Sequence, residues 1–235
     1  MRIGIVLQAR MGSERLPGKT LQLILGRPLI HYVIARLKCI ALADMCVLAV
    51  PDTADNEVLR DVAREMGIEF FTGSESDVLD RFYRAAEFFD LDHIYRATGD
   101  NPLVEPRRQE ELIRYHLAGG YDYTEDFLRL PHGLGGEVFS REGLARCWAL
   151  SKSTHQREGV NDYILENRAE FHTGCPPGDP YPAAAMELEW TVDTPRQFAW
   201  MRAVYEALYQ DGQTIEVAEV LDFIAQEGQS PCRAQ

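Results

Sequence analysis

The residues with the clearest potential for chemistry form a short basic loop near the start of the chain. Between positions 10 and 19 the sequence carries Arg10, Arg15 and Lys19 together with Gly12 and Gly18. Arginine and lysine donate charge-assisted hydrogen bonds to phosphate or carboxylate, and glycine lets a backbone approach a ligand closely. The loop therefore predicts an anion site. Three interpretations of this loop remain open.

The first interpretation is a P-loop, and the second is a solvated turn without a specific ligand. Residues 13–20 match the pattern G-x-x-x-x-G-K-[ST] except that Ser13 replaces the first glycine. Pro17 argues against a P-loop, because that cradle uses consecutive backbone N–H groups and proline has none. The basic loop contrasts with the acidic rest of the chain, and this contrast argues against the second interpretation, a solvated turn without a specific ligand.

The third interpretation is the loop of a nucleotidyltransferase. Nucleotidyl transfer requires basic side chains near the pyrophosphate that leaves, which Arg10, Arg15 and Lys19 could supply. Gly12, with Ser13, could provide the close backbone approach. Mg²⁺ would neutralise the charge that accumulates as the α-phosphate is attacked.

Two aspartates lie where they could bind a metal ion or cap a helix. Asp100 follows an apolar strand pattern through Gly99, which suits a Mg²⁺ ligand but also a turn or a helix cap. Asp193 precedes Thr194 and Pro195, and this sequence is typical of a helix N-terminus. Residue type and position alone do not choose between these roles.

The elements that would position these residues alternate between strand and helix patterns. Short apolar runs predict strands, and apolar residues at helical spacing between them predict helices. The predicted strands are 3–7, 45–50, 68–71 and 93–98, and the predicted helices between them are 28–37, 55–66 and 77–89. This alternation indicates a mostly parallel sheet covered by helices on both faces. Because ligands bind at the carboxyl ends of such strands, the loops after them should line one pocket.

The second half of the chain has a weaker pattern. We interpret residues 1–235 as a single domain in which 121–185 form an extension that covers the pocket or contacts a partner. After that extension the pattern predicts a strand at 186–192 and helices at 195–209 and 217–227.

Composition limits the classes of partner. The formal net charge of −13 disfavours general binding to nucleic acid or to anionic membranes. The five cysteines are scattered and form no C-x-x-C pair, which favours reduced thiols over disulfides or a zinc site. No apolar run is long enough for a signal peptide or a membrane span, so we expect a soluble, cytoplasmic protein.

A resemblance to a known family selects among these interpretations. The stretch QARMGSERLPGK at residues 8–19 resembles the opening motif of the cytidylyltransferases that include spore-coat polysaccharide biosynthesis protein F. That family is related to enzymes that activate acylneuraminate and 3-deoxy-manno-octulosonate as CMP-sugars. Later blocks resemble the family in the same order, at residues 73–82, 96–103, 136–140, 157–163 and 191–195.

The resemblance implies a fold and a reaction. The fold would be α/β, with a Rossmann-like three-layer α/β/α sheet of the nucleotide-diphospho-sugar transferase type and a small extension. The enzyme would use Mg²⁺ to move CMP from CTP to an acidic sugar or related acceptor, with release of pyrophosphate. It would form a homodimer. CTP and UTP are not distinguished by these residues.

The same resemblance assigns roles to individual positions. The catalytic residues would be Arg15, Lys19 and Asp100. The metal ligands would be Asp100 and Asp193. The nucleotide-binding residues would be Leu7, Gln8, Ala9, Arg10, Gly12, Ser13, Arg15, Lys19, Gly73, Ser74, Arg81, Thr98 and Gly99. The acceptor-binding residues would be Asn101, Glu137, Arg157 and Glu158.

Two positions depart from the family pattern. Gly135 stands where family members commonly have aspartate, and Gly159 stands where they often have histidine. Both departures lie in the acceptor section, so they put the usual acceptor in question. Two rival functions remain. One is a nucleotide-sugar glycosyltransferase, which would usually have a D-x-D pair; residues 90–92 have that spacing but precede the predicted strand instead of following it. The other is a nucleotide-binding protein without catalysis, which the two acceptor-side departures keep open.

Overall fold

The fold is built on one mixed β-sheet with helices on both faces. The computed structural model describes residues 1–178 and 181–227. In chain order its strands are β1 Ile3–Gln8, β2 Leu23–Ile24, β3 Arg27–Pro28, β4 Met45–Pro51, β5 Glu69–Gly73, β6 His93–Thr98, β7 Tyr123–Glu125, β8 Glu137–Ser140 and β9 Thr173–Gly174. Among the described residues, seven strands form the main sheet in the order β5-β4-β1-β6-β8-β7-β9, and β2 pairs with β3.

The strand order places a topological switch between β1 and β6. From β1 the chain moves outward to β4 and β5, and then returns to the other side of β1 with β6. These four strands are parallel, whereas β8 is antiparallel to both β6 and β7. The carboxyl ends of β1 and β6 lie side by side, with Gln8 opposite Thr98. Such a switch is where open α/β sheets bind ligands, and the α/β prediction is confirmed.

Helices cover both faces of the sheet. Their bounds are α1 Leu29–Leu37, α2 Val58–Met66, α3 Val78–Phe88, α4 Pro106–Gly119, α5 Arg141–Leu150, α6 Thr154–Gly159, α7 Asp162–Glu166, α8 Ala183–Met186, α9 Pro195–Leu208 and α10 Val217–Glu227. Within the described part of the chain, no helix is long and apolar enough to cross a membrane.

The alternation of β1 side chains explains the layers. Ile5 and Leu7 belong to a cluster with residues of α1, α2 and α4, whereas Val6 belongs to a second cluster with residues of α3 and α5. Successive strand residues face opposite sides, so a strand covered on both faces is apolar throughout. At about 1.5–3 kcal/mol for each fully buried aliphatic side chain, these clusters hold the strand ends rigidly.

A third apolar cluster packs the C-terminal part of the described chain against the basic loop. Leu16 from that loop packs in one cluster with Trp190, Val192 and Tyr205. The buried Arg36 guanidinium donates to the carbonyl oxygens of Val104 and Ile215 at 2.6 and 2.9 Å, which further fixes the C-terminal segment. The residues before α9 are therefore held against a loop from the start of the chain.

The strand prediction at 186–192 was wrong. Residues 183–186 are helical, and the stretch from 187 to 192 has only an isolated bridge residue at Leu188. Its alternating apolar side chains do pack inward, but its N–H groups bond to loops instead of a strand. Trp190 donates to the carbonyl oxygen of His132 at 3.0 Å, and Val192 donates to that of Asp100 at 2.8 Å.

The segment 121–185 contributes to the main sheet itself. It supplies β7, β8 and β9, and its α5, α6 and α7 lie on the α3 side. Its proposed part in acceptor binding or dimerisation stays a prediction. Cys39, Cys46, Cys147 and Cys175 are free thiols, and Cys232 lies outside the described residues.

Candidate active site

Two cavities open at the carboxyl ends of β1 and β6. The charged cavity, of about 580 Å³, is defined here by Arg10, Ser13, Arg15, Lys19, Glu75, Arg81, Gly99 and Glu158. The glycine-rich cavity, of about 440 Å³, is defined by Arg96, Asn101, His132, Gly133, Gly135, Gly136, Glu137, Gly159, Asn161 and Asp162. Thr98, Asp100 and Asp193 line both cavities, so they form the junction between them.

The basic loop is shaped by contacts with residues distant in sequence. Met11 N–H donates to the Asn56 side-chain oxygen at 2.9 Å, and the Thr20 hydroxyl donates to the carbonyl oxygen of Arg10 at 2.9 Å. Gly18 has φ 67°, a left-handed conformation that glycine adopts without steric cost. Asn56 is buried, and sequence analysis missed its role because nothing near it suggests a ligand site.

Lys19 lies at the junction of the two cavities. Its Nζ lies 2.8 Å from Asp100 Oδ2 and 2.8 Å from Asp193 Oδ1. It also donates to the carbonyl oxygen of Val192 at 2.9 Å, and only 12% of its side chain is exposed. The predicted catalytic lysine and both predicted metal ligands thus converge on one point.

Asp100 is held as a carboxylate at this junction. Burial raises its pKa, but the Lys19 ammonium and the Thr98 hydroxyl, which donates to Asp100 Oδ1 at 2.6 Å, outweigh burial and leave the pKa below its usual value. The Asp100 carbonyl oxygen accepts the Val192 N–H, which fixes the backbone. Asp100 is therefore ionised at neutral pH.

The two carboxylates converge on one cationic atom. Each presents an oxygen 2.8 Å from a common cationic atom, the Lys19 Nζ. Among the described residues no group of three or more histidine, cysteine, aspartate or glutamate side chains could hold a metal ion. A Mg²⁺ ion here would therefore take most of its oxygen ligands from substrate and water, which is its usual behaviour in phosphate chemistry.

Arg15 and Arg10 extend the positive charge from the junction into the charged cavity. Arg15 Nη2 lies 3.0 Å from Asp193 Oδ2, with 66% of its side chain exposed. Arg10 is exposed and makes no ion pair with any described residue. Both guanidinium groups are accessible to an anion.

Arg81 adds a buried cation to the same cavity. Only 3% of the residue is exposed, its Nη1 donates to the Ser74 carbonyl oxygen at 2.6 Å, and its Nε has no partner among the described atoms. Burial, together with the nearby Arg10 charge, lowers the pKa of Arg81 to about 10, so it remains charged at neutral pH. Gly73 lets Arg81 pack closely, because a Cβ there would lie 3.1 Å from Arg81 Cγ.

The remaining nucleotide-site candidates line the charged cavity or are neighbours in sequence of residues that do. Gln8 and Ala9 line it directly, whereas Leu7 is fully buried beneath them. Gly99 N–H donates to the Gln8 carbonyl oxygen at 2.9 Å. Gly12 is exposed, with open space where a Cβ would lie.

The predicted acceptor residues are not all brought together. Asn101 and Glu137 line the glycine-rich cavity, whereas Glu158 lines the charged cavity. Arg157 lines neither cavity. Its guanidinium donates to Asp77 Oδ2 at 2.5 and 2.7 Å and to the Trp148 carbonyl oxygen at 2.7 Å.

Glu137 is the centre of a buried polar network. It pairs with Arg96, and its Oε2 accepts from the Tyr123 hydroxyl at 2.7 Å and from the Asn161 amide at 2.9 Å. All of its oxygens are therefore satisfied by neighbouring side chains. Sequence analysis missed Arg96 and Asn161, although both lie within blocks that resemble the family.

The glycines that depart from the family pattern are closely packed. A Cβ at Gly135 would lie 2.3 Å from Phe127 Cα, which is backbone and cannot rotate away. A Cβ at Gly159 would lie 1.8 Å from Asp162 Oδ2. Neither position has room for the usual aspartate or histidine unless its neighbours move.

The D-x-D rival is not supported by position. Asp90 and Asp92 precede β6, at the sheet edge opposite the two cavities. Asp92 accepts the Arg2 N–H at 2.6 Å, and Asp90 pairs with Arg141 at 2.7 Å. These carboxylates serve local structure at the amino end of the strand.

Comparisons with known proteins identify the family. A family model described as cytidylyltransferase matches residues 3–230. Spore coat polysaccharide biosynthesis protein SpsF of Bacillus subtilis (strain 168) is 32% identical over 86% of this chain and 85% of its own length.

Two solved structures share the fold. A cytidylyltransferase from Leptospira borgpetersenii serovar Hardjo-bovis superposes with a TM-score of 0.87 at 23% identity, covering 97% of this chain and 95% of that one. A CMP:2-keto-3-deoxy-manno-octonic acid synthetase in complex with CTP gives a TM-score of 0.66 at 20% identity, covering 88% and 99%.

Proposed function

The chain belongs to the cytidylyltransferase family of enzymes, and from that premise we propose that it transfers CMP from CTP to a sugar or related small acceptor with Mg²⁺ and releases pyrophosphate. The observation that carries the proposal is the junction at which Asp100 and Asp193 face both cavities and surround a single cationic centre. The charged cavity would hold the nucleotide, and the glycine-rich cavity would hold the acceptor.

The nucleotide assignment is supported by the charged side chains on that side of the junction. Arg10, Arg15 and Arg81 present guanidinium groups to the cavity, and the buried Arg81 Nε lacks a described partner. Guanidinium groups bind phosphate through paired hydrogen bonds. The use of CTP is supported by family membership and by the CTP complex of a structural neighbour.

The reaction would depend mainly on positioning and charge. Asp100 and Asp193 would hold Mg²⁺, whose charge would stabilise the α-phosphate as it is attacked. Lys19 lies beside both carboxylates and would contact the phosphates, and Arg15 would stabilise the leaving pyrophosphate. Side chains on opposite sides of the junction would align the acceptor oxygen with the α-phosphorus.

The test is pyrophosphate release measured with each of the four nucleoside triphosphates. An acceptor panel should include neutral, acidic and amino sugars, and every reaction should be repeated with excess EDTA. Of the four nucleoside triphosphates, we expect only CTP to give pyrophosphate release, and we expect no release when EDTA is in excess. Release with UTP but not CTP would contradict the base assignment, and full activity in EDTA would contradict the metal assignment.

The acidic acceptor and the homodimer remain predictions from the family resemblance. The acidic acceptor is tested by the same panel, and the dimer by sedimentation equilibrium of the full chain.

A further inference from the structure

One wall of the glycine-rich cavity is a strained turn between α6 and α7. Asn161 N–H donates to the Gly159 carbonyl oxygen at 2.8 Å, which closes a three-residue γ-turn around Val160. Val160 has φ 70° and ψ −50°, a conformation that β-branched residues rarely adopt. The Val160 side chain is fully buried in the α3-side cluster, and this packing holds the strained backbone in place.

Two polar residues that follow the turn, Asn161 and Asp162, line the cavity, and their bonding partners differ. The Asn161 amide donates to Glu137 and to the Tyr123 hydroxyl, both at 2.9 Å. Asp162 also lines the cavity, with 21% of its side chain exposed. The partner of Asp162 is His155, at 3.2 Å, whose own side chain is 74% exposed.

The carboxylates that line the cavity are not equally neutralised. Asp100 and Asp193 both contact Lys19, and Glu137 is paired with Arg96. Among the described residues of this wall, Asp162 is the carboxylate without an arginine or lysine partner. The other titratable groups that line the cavity are Arg96, which is paired with Glu137, Tyr95, whose pKa is raised by burial, and His132, which lies at the exposed rim beside Glu189.

Gly159 allows Asp162 to occupy this position. A Cβ at residue 159 would lie 1.8 Å from Asp162 Oδ2, so any larger side chain would displace the carboxylate. The γ-turn and Gly159 together hold a negative charge against the wall of the cavity. An acceptor that turned a carboxylate or phosphate toward this wall would be repelled.

We propose that Asp162 selects an acceptor that carries an amino group and presents it, as an ammonium, to the Asp162 carboxylate. This inference rests on the proposed function, because it assumes that the glycine-rich cavity binds the acceptor. It narrows the acidic-sugar prediction: if the acceptor has a carboxylate, that group faces away from the γ-turn, and the amine is the feature recognised there.

The test uses three pyranoses of similar shape and different charge, namely glucosamine, glucose and glucuronate. Their dissociation constants are measured by NMR titration against the protein loaded with Mg²⁺ and a non-hydrolysable CTP analogue. We expect glucosamine to bind about fivefold to tenfold more tightly than glucose, and glucuronate to bind more weakly than either. If glucosamine binds no more tightly than glucose, or if none of the three sugars binds, the proposal is wrong.

Variants assign the effect to Asp162. Asp162→Asn should reduce the glucosamine preference to less than about twofold. Gly159→Ala should also weaken the preference, because it keeps the charge but moves the carboxylate. Asp61→Asn is the matched control, since that carboxylate is 74% exposed on α2 and should leave the preference unchanged. If Asp162→Asn and Gly159→Ala both keep the full wild-type preference of about fivefold to tenfold, the proposal is wrong.

The same experiment separates this inference from the proposed function. If the protein does not bind the CTP analogue, the proposed function fails. The order of the three sugars on nucleotide-free protein then still reports the charge of the cavity.

Discussion

The charged cavity and the glycine-rich cavity meet at Asp100 and Asp193, but different kinds of residue line them. Long side chains such as Arg15, Lys19 and Arg81 form the working surface of the charged cavity. Side chains line the other cavity too, but four of its lining residues are glycines, and among them Gly135 has no room for a Cβ. The charged cavity therefore depends mainly on side-chain identity, whereas the glycine-rich cavity depends on side chains such as Asp162 and also on the close packing of its glycines.

This difference predicts opposite consequences of mutation. A change in a lining side chain of the charged cavity should reduce activity and spare the fold. A change at a packed glycine of the other cavity should first reduce stability.

The largest expected effect is on catalysis, at the junction. Asp100→Asn removes a carboxylate that would hold Mg²⁺ and should lower kcat about a thousandfold. Lys19 keeps its contacts with Asp193 and the Val192 carbonyl oxygen, so the Tm should change little. Pyrophosphate release and thermal unfolding measure the two effects. Wild-type Mg²⁺-dependent turnover in this variant would contradict the assignment of Asp100.

The next effect should be on stability, in the glycine-rich cavity. Gly135→Ala places a methyl group 2.3 Å from the Phe127 Cα and should lower the free energy of unfolding by about 3 kcal/mol. Gly12→Ala is the control, because nothing lies within 4 Å of its Cβ position, and it should change the free energy by less than about 0.5 kcal/mol. Urea denaturation measures both variants. If both variants had the same free energy of unfolding, close packing at Gly135 would not distinguish the glycine-rich cavity from the charged cavity.

A pH experiment tests a buried histidine that lies outside both cavities. His116 on α4 is fully buried, bonds to the Thr124 hydroxyl at 2.9 Å and to His93 at 3.1 Å, and burial lowers its pKa to about 3. Below about pH 6.5, the usual pKa of histidine in the unfolded chain, His116 binds a proton in the unfolded chain but stays neutral in the native chain. The free energy of unfolding therefore falls as the pH falls toward about 3.

Between pH 7 and pH 5 this histidine should remove about 2 kcal/mol from the free energy of unfolding. His116→Gln should remove that part of the pH dependence, although it lowers stability at pH 7. His132→Gln is the control, because that side chain is 71% exposed. An unchanged pH slope in His116→Gln would show that other groups cause the acid sensitivity.

The smallest expected effect is at the rim of the charged cavity. Arg15→Met removes a guanidinium that is 66% exposed and should lower kcat/KM for CTP about tenfold, with no change in Tm. Initial rates at several CTP concentrations measure this change. A loss of stability would show that the Arg15–Asp193 ion pair is structural.

The comparison also shows which parts of the molecule can be predicted from sequence. Strands β1, β4 and β6 were predicted within one residue at each end, because their apolar runs are bounded by clear loop signals. The loop bearing Lys19 and the turn bearing Asp100 were located by residue type and by family resemblance. These features are encoded locally.

Other features depend on contacts between distant residues and could not be predicted. The alternation at residues 186–192 is real, but loop carbonyl oxygens satisfy its N–H groups, so no strand forms. The buried Asn56 shapes the basic loop from 45 positions away. The strained φ of Val160 has no sequence signature, because β-branched residues are poor candidates for such a turn.

The contact between Lys19 and Asp193 also has a meaning for how the chain folds. It joins positions 174 residues apart, and Asp100 is bound at the same point. Contacts of such sequence separation form only after much of the chain entropy between them has been lost. During synthesis this geometry cannot exist until Asp193 has left the ribosome. The point at which the two cavities meet is thus also the point where the N-terminal and C-terminal parts of the chain contact each other.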